Sequence, residues 1–216
     1  MNLNTYLAGV GMIANHDLSL MIANLGNLAS EDDFAGYDPY DALNSDFVRA
    51  LSFGRKYGRI AWTQFLRRSP INLRPFIGVA KGHNPKALGL FLGGFVKLQA
   101  INKTVDYSKE IERLLHLLEV NRSKNCSGYG WGYNFDWQSR AFFIPKFTPT
   151  IVNSSFIGHA LLDLYELTGN QKAFDMALPI KDFLLQDLNQ TQDGDSFCFS
   201  YTPVDKTAVH NANLLG

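Results

Sequence analysis

"TPTIVNSSFIGHALLDLYELTG", residues 148–169, decides how the chain is read. Apolar residues fall in every turn, and Phe156, Ala160, Leu161, Leu164 and Tyr165 share one stripe at helical spacing. A helix this apolar is enclosed on most sides rather than laid on a surface. Thr148 and Pro149 fit its start, because proline is tolerated in the first helical turn, and Gly169 fits its end as a left-handed closing residue. The next stretch, "QKAFDMALPIKDFLLQDLNQ" (171–190), has amphipathic spacing and predicts a partner helix kinked at Pro179.

The same pair stands upstream. "NPKALGLFLGGFVKLQAINK" (84–103) is apolar nearly all round, with Asn84 as a cap, Pro85 in the first turn, and Gly89, Gly93 and Gly94 permitting close neighbours. "YSKEIERLLHLLEVNR" (107–122) follows it with Ile111, Leu114, Leu115 and Leu118 on one stripe and charged residues opposite. "TAVHNANLLG" (207–216) reads as the start of a third buried helix, and the segments around "YDPYDALNSDFVRALSFGR" and "YGRIAWTQFLRRSP" as an earlier, less regular pair. Buried helices begin near 84, 148 and 207, a period of about 60 residues. Buried helix, exposed helix, long loop is the repeat of an α/α toroid, whose inner helices form a ring wrapped by outer ones. The expectation is an all-α, incomplete α/α toroid forming a single domain over 1–216. Its last helix lacks an outer partner, so the chain reads as a C-terminally truncated fragment that self-associates through the open edge. Strands are expected only as short pieces within loops.

Composition excludes several classes of protein. Hydrophobic residues make up 46% of the 216 and aromatics 13%, enough for a packed core. Twenty basic residues balance twenty acidic ones, which gives no electrostatic case for nucleic acid or an anionic membrane. No apolar run approaches the roughly 20 residues of a membrane span. "MNLNTYLAGVGMIANHDLSL" (1–20) lacks the basic start and long apolar run of a secretion leader. Cys126 and Cys198 form neither a zinc pattern nor a disulfide framework, so reduced thiols in the cytoplasm are expected. There is no HExxH, no GxSxG elbow and no phosphate loop, and no cofactor or metal is expected.

Three loops carry the chemistry. "GYGWGYNFDWQSR" (128–140) sets Trp131, Tyr133, Asp136, Trp137, Gln138 and Arg140 among glycines, a composition suited to a shaped pocket wall. "LRPFIGVAKGHNPK" (73–86) offers Lys81 and His83, and "DGDSFCFSYTPVDKTAVHNAN" (193–213) offers Tyr201, His210 and Asn211. In a toroid these loops gather at one mouth. Aromatic faces, amides and carboxylates converging there match a sugar or small polar ligand. Asp136 is the candidate acid or base, assisted by Tyr201 or His210; a role tying down loop amides is its competing reading. Lys81, His83, Trp131, Tyr133, Trp137, Gln138, Arg140 and Asn211 are the candidate binding residues. His159, mid-helix, is read as packing.

"SPINLRPFIGVAKGHNPKALGLFL" (69–92), "GYGWGYNFDWQSRAFFIPKFTPTIV" (128–152) and "FCFSYTPVDKTAVHNANLLG" (197–216) resemble a family of bacterial proteins found among polysaccharide-biosynthesis genes. The resemblance spans roughly residues 36 to 216, and its members are expected to continue past the last motif with more helical pairs. Some members carry the label delta-aminolevulinic acid dehydratase. That enzyme is a β/α barrel with a Schiff-base lysine, and nothing here alternates as barrel strands would. The family is similar to the wider α/α-toroid group of glycoside hydrolases, polysaccharide lyases, sugar epimerases and terpenoid cyclases. The resemblance implies a protein of carbohydrate metabolism: a hydrolase, lyase or epimerase, or else a non-catalytic glycan-binding or assembly protein. Cyclase chemistry wants an Asp-rich motif, and "SEDDF" (30–34) lies outside the repeated loops.

Overall fold

The computed structural model describes residues 20–102, 104–140 and 142–216. The N-terminal stretch read for a leader lies, up to residue 19, outside the described residues. The chain divides into two compact units, Met1–Ala35 and Gly36–Gly216. In the first, residues 20–31 form helix α1. The Phe34 amide, in a left-handed turn, closes it onto the Ala29 carbonyl at 2.7 Å.

The second unit opens with a 3-10 turn, Asp41–Asn44, leading into α2 (Asp46–Leu51). Ser45 caps α2: its Oγ accepts from the Val48 amide at 3.2 Å and donates to the Ile77 carbonyl at 2.5 Å. A turn through Phe53 and Gly54, both at positive φ, reverses the chain into α3 (Lys56–Arg68). Ala42, Leu43, Val48 and Leu66 form a small core here, backed by Trp62, Leu73 and Ile77.

The main body is the two helical pairs. α4 (Pro85–Ile101) begins where Asn84 accepts from the Lys86 amide, with Pro85 in the first turn. α5 (Ser108–Val120) buries Ile111, Leu114, Leu115, Leu117 and Leu118, which is the sequence stripe widened by one residue. α6 (Ile151–Thr168) is capped by Thr150 rather than Thr148, so Pro149 stands outside the helix; Gly169 closes it at φ 69°. α7 (Gln171–Ala177) is followed, past Pro179, by α8 (Ile180–Asp182), which runs on as a π-helical turn, Phe183–Asp187. The break lies where the proline predicts it.

α4 and α6 pack side by side and parallel. A Cβ on Gly89 would fall 2.7 Å from Ile157 Cγ1 and 3.2 Å from Ile157 Cα, and one on Gly93 would lie 3.6 Å from Ala160 Cβ. Register rises together on both helices. α6 and α7 run antiparallel, with Tyr165 against Phe174 at 4.7 Å and Gly158 against Ile180 further along. Two antiparallel hairpins interrupt the loops: β1 (Trp137–Gln138) with β2 (Phe143–Ile144), and β3 (Gln190–Asp193) with β4 (Ser196–Phe199). The helix expected to be the third buried one, α9 (His210–Asn213), is a four-residue turn that buries only Ala212, and it starts three residues later than the sequence indicates. The fold is mostly helical, with two small sheets. Among the described residues no helix is long and apolar enough to cross a membrane.

Candidate functional site

A cavity of about 270 Å³ lies where three segments meet: Asp38, Pro39 and Tyr40 before α2, Asn84 and Lys86 at the start of α4, and Tyr133, Phe135 and Trp137 of the glycine-rich loop. Its polar floor is built by a chain of bonds. The Asp38 carboxylate accepts from Asn84 Nδ2 at 2.9 Å through one oxygen and from the Tyr40 amide at 2.9 Å through the other. Behind it, Arg74 Nε donates to Asp41 at 2.6 Å and Arg74 Nη2 to the Asp38 carbonyl at 2.8 Å. The Asp38 amide donates to the other Asp41 oxygen at 3.0 Å. Burial pushes the Asp41 carboxyl above its usual value, and the Arg74 guanidinium offsets this only in part. The buried pair therefore acts as a brace for Asp38 and not as an exposed acid.

The aromatic wall is continuous. Tyr133 stacks on Phe135 at 5.1 Å and meets Trp137 edge-on at 5.9 Å; Trp137 lies 6.0 Å from Tyr201, and Phe142 stacks on Tyr201 at 6.0 Å. The Tyr133 and Tyr201 hydroxyls are electrostatic neighbours, and Tyr201 in turn neighbours Thr150, the cap of α6. Burial raises both phenols above their ordinary value, so both stay protonated around neutrality. Three neighbouring hydroxyls thus stand between the cavity wall and the start of α6. On the other side, Lys86 Nζ sits 4.9 Å from the centre of the Phe156 ring.

The structure sorts the residues proposed from sequence. Tyr133 and Trp137 line the cavity, and Tyr201, 8% exposed, reaches it through Tyr133. Asp136 accepts from the Lys146 amide at 2.8 Å, joining the glycine-rich loop to the segment before α6. Trp131 is wholly buried: its indole donates to the Leu118 carbonyl at 2.7 Å and its amide to Ser154 Oγ, so it packs α5 against α6 and faces no ligand. Gln138 spends its amide on the carbonyls of Ser139 and Phe142 within its own hairpin. Lys81, Arg140, His210 and Asn211 are exposed and His83 is half-buried; none of the five lines this cavity. His159 is exposed rather than packed.

Asp38, Pro39, Tyr40, Asn84, Lys86 and Phe135 are the lining residues that the sequence does not single out as binding groups. Asn84 and Lys86 stand in the 73–86 motif, but only the fold brings Asp38 to them. Asn134 Oδ1 and both side-chain polar atoms of Asn153 are buried with no hydrogen-bond partner, an uncommon condition in a folded interior. Cys126 and Cys198 are free, and burial raises the Cys126 thiol. Among the described residues no group of histidine, cysteine, aspartate and glutamate is placed to hold a metal. Comparison with protein-family models, curated proteins and solved structures finds nothing that matches the chain.

Proposed function

We propose that the cavity at Asp38 and Trp137 binds a neutral sugar unit, and that the chain is a glycan-binding protein of bacterial polysaccharide metabolism. The observation that carries this is the pairing of a braced carboxylate with an aromatic wall. Sugar rings present apolar faces that rest on aromatics and hydroxyls that donate to carboxylates. At about 270 Å³ the space suits one small ring rather than a long chain. The resemblance to proteins of polysaccharide-biosynthesis clusters points the same way. In this reading the two helical pairs are an arc of an α/α toroid, the cavity lies at its mouth, and the free thiols fit a cytoplasmic location.

A second reading, a sugar-active enzyme of hydrolase, lyase or epimerase type, is favoured by the Tyr133 phenol on the cavity wall, with Tyr201 beside it. A protonated phenol at that place can donate to a leaving or isomerising oxygen. Binding is preferred over turnover for a physical reason. Asp136 is tied to a backbone amide, both Asp38 oxygens are occupied, and Asp41 is paired with Arg74. None of these is a poised general acid.

Calorimetric titration with a panel of monosaccharides and short oligosaccharides tests the proposal. Trp137→Ala should weaken binding roughly two- to twelvefold, since a stacked aromatic contributes roughly 0.5 to 1.5 kcal/mol. Asp38→Asn should weaken it less, because one acceptor remains. Binding that ignores both substitutions would remove the cavity from consideration. Turnover of any probe, lost in Tyr133→Phe, would move the reading to the enzyme.

A further inference from the structure

A larger cavity, about 730 Å³, lies between the C-terminal end of α5, the segment 145–149 before α6, and the turn at Pro203. It shares no lining residue with the smaller one. Its charged lining residues are Arg122, Lys124 and Lys146, with no carboxylate among them. The chain as a whole has no net charge, so three cations on one concave surface are a local concentration and not a reflection of a basic protein. Carboxylates in neighbouring segments are already engaged: Glu119 pairs with Lys172 at 2.8 Å, Asp136 holds the Lys146 amide, and Asp205 closes its own turn onto Thr202 and Thr207.

The apolar part of the lining is equally specific. Phe147 has φ 60°, a left-handed conformation that a bulky residue adopts only when its surroundings impose it. Two bonds impose it here: the Phe147 amide donates to the Tyr133 carbonyl at 2.7 Å, and its carbonyl accepts from Ser123 Oγ at 2.7 Å. The ring is thereby held 42% exposed on the cavity wall, beside Pro149 and Pro203. Arg122 is immobilised as well, its guanidinium lying 3.8 Å from the centre of the Tyr129 ring. A guanidinium stacked by its face keeps its N–H edge for oxyanions.

We infer that this cavity is a second, independent binding site for an anionic sugar, one carrying a carboxylate or a phosphate. The cations take the charged group, and Phe147 with the prolines takes the ring. The site stands on its own lining, so it survives even where the neutral-sugar cavity proves empty of function.

The experiment is calorimetric titration of the whole chain with glucuronic acid, glucose 6-phosphate and glucose, at low and high salt. The comparison protein carries Lys124→Gln and Lys146→Gln together. Both side chains are exposed, and the Asp136 bond uses the Lys146 main chain, so its melting curve should match the parent's. At least one charged sugar should bind saturably, weaken with added salt, and lose about tenfold in affinity in the double variant. Binding of glucuronic acid marks the site for sugar acids; binding of glucose 6-phosphate alone marks it for sugar phosphates. Absence of binding by both charged probes overturns the inference. So does binding that is untouched by the double substitution, or competition by glucose as effective as that of the charged sugars.

Discussion

Asp136 and Tyr133 show how composition identifies a loop without assigning its side chains. Four aromatics alternate with glycines in 128–135, yet Trp131 is sealed in the core while Tyr133 faces a cavity. Which ring turns inward depends on the Leu118 carbonyl and Ser154, residues distant in sequence, and no local pattern encodes that. The Asp136 bond to the Lys146 amide is similarly invisible to sequence. Asp136→Ala should lower stability by about 1 kcal/mol, and Asp136→Asn by less because an acceptor oxygen remains. Thermal melts check this, and sugar binding should persist in both variants. The two buried phenols carry a sharper test. Tyr133 and Tyr201 ionise above the ordinary 10.0 in the fold, whereas in the unfolded chain they ionise near it. Their contribution is therefore complete below pH 10 and lost as pH rises toward the folded values, because the unfolded state releases its protons first. Melting temperature should be flat through neutrality and fall above about pH 10. In Tyr133→Phe/Tyr201→Phe the fall should be shallower. Equal steepness in both proteins would contradict the buried assignment.

At the scale of elements the sequence was legible where periodicity ran long. The α5 stripe, the Asn84–Pro85 start of α4, the Gly169 end of α6 and the break at Pro179 all follow from spacing and backbone chemistry. The start of α6 shifted by two residues because Thr148 and Thr150 are equal candidates locally. Thr150 prevails because its side chain reaches the Asn153 amide at 3.0 Å and its own amide is held by the Trp131 carbonyl. The cavity was not legible, since its floor joins Asp38 to Asn84 across an intervening pair of helices. Parallel packing of α4 on α6 depends on Gly89, and the prediction opposes two glycines of one helix. Alanine usually stabilises a helix by up to about 1 kcal/mol over glycine. At Gly94, where an added Cβ meets nothing within 4 Å, Gly94→Ala should show that gain. At Gly89 the methyl would press on Ile157, including its Cα, which cannot rotate away. Gly89→Ala should therefore destabilise by roughly 1 to 3 kcal/mol despite better propensity. Chemical denaturation of the two variants reads the opposite signs directly, and a stabilised Gly89→Ala would mean that α4 and α6 stand further apart than described.

Within the Gly36–Gly216 unit, stability is distributed unevenly, and that distribution governs how the two cavities behave. α6 buries nine residues and α4 six, packed directly on each other. α2 buries Val48 alone and α3 buries Thr63 and Leu66, while Phe47 and Phe65 are each 54% exposed and Tyr57 is 80% exposed. Burial of apolar surface is the main favourable term in folding, so the α2–α3 region has less to lose by opening. Segments with few buried contacts open at free energies well below that of the whole domain. Amide hydrogen exchange should accordingly find α2 and α3 exchanging at least about tenfold faster than α4 and α6, a gap of roughly 1.4 kcal/mol or more in opening free energy. The cavities divide along the same line. Asp38 and its brace, Asp41 with Arg74, sit against the weaker region, whereas Arg122, Phe147 and Pro149 join α5 to α6 in the stronger one. A sugar held by Asp38 should therefore slow exchange in α2 and α3, because a ligand that binds only the closed form stabilises it in proportion to its concentration over its dissociation constant. A charged sugar in the larger cavity should slow exchange near residues 120–125 and 145–149 and leave α2 and α3 unchanged. Uniform exchange across all four helices, or protection of α2 and α3 by the charged sugar alone, would show that the unit opens as one body and that the two sites are not energetically separate.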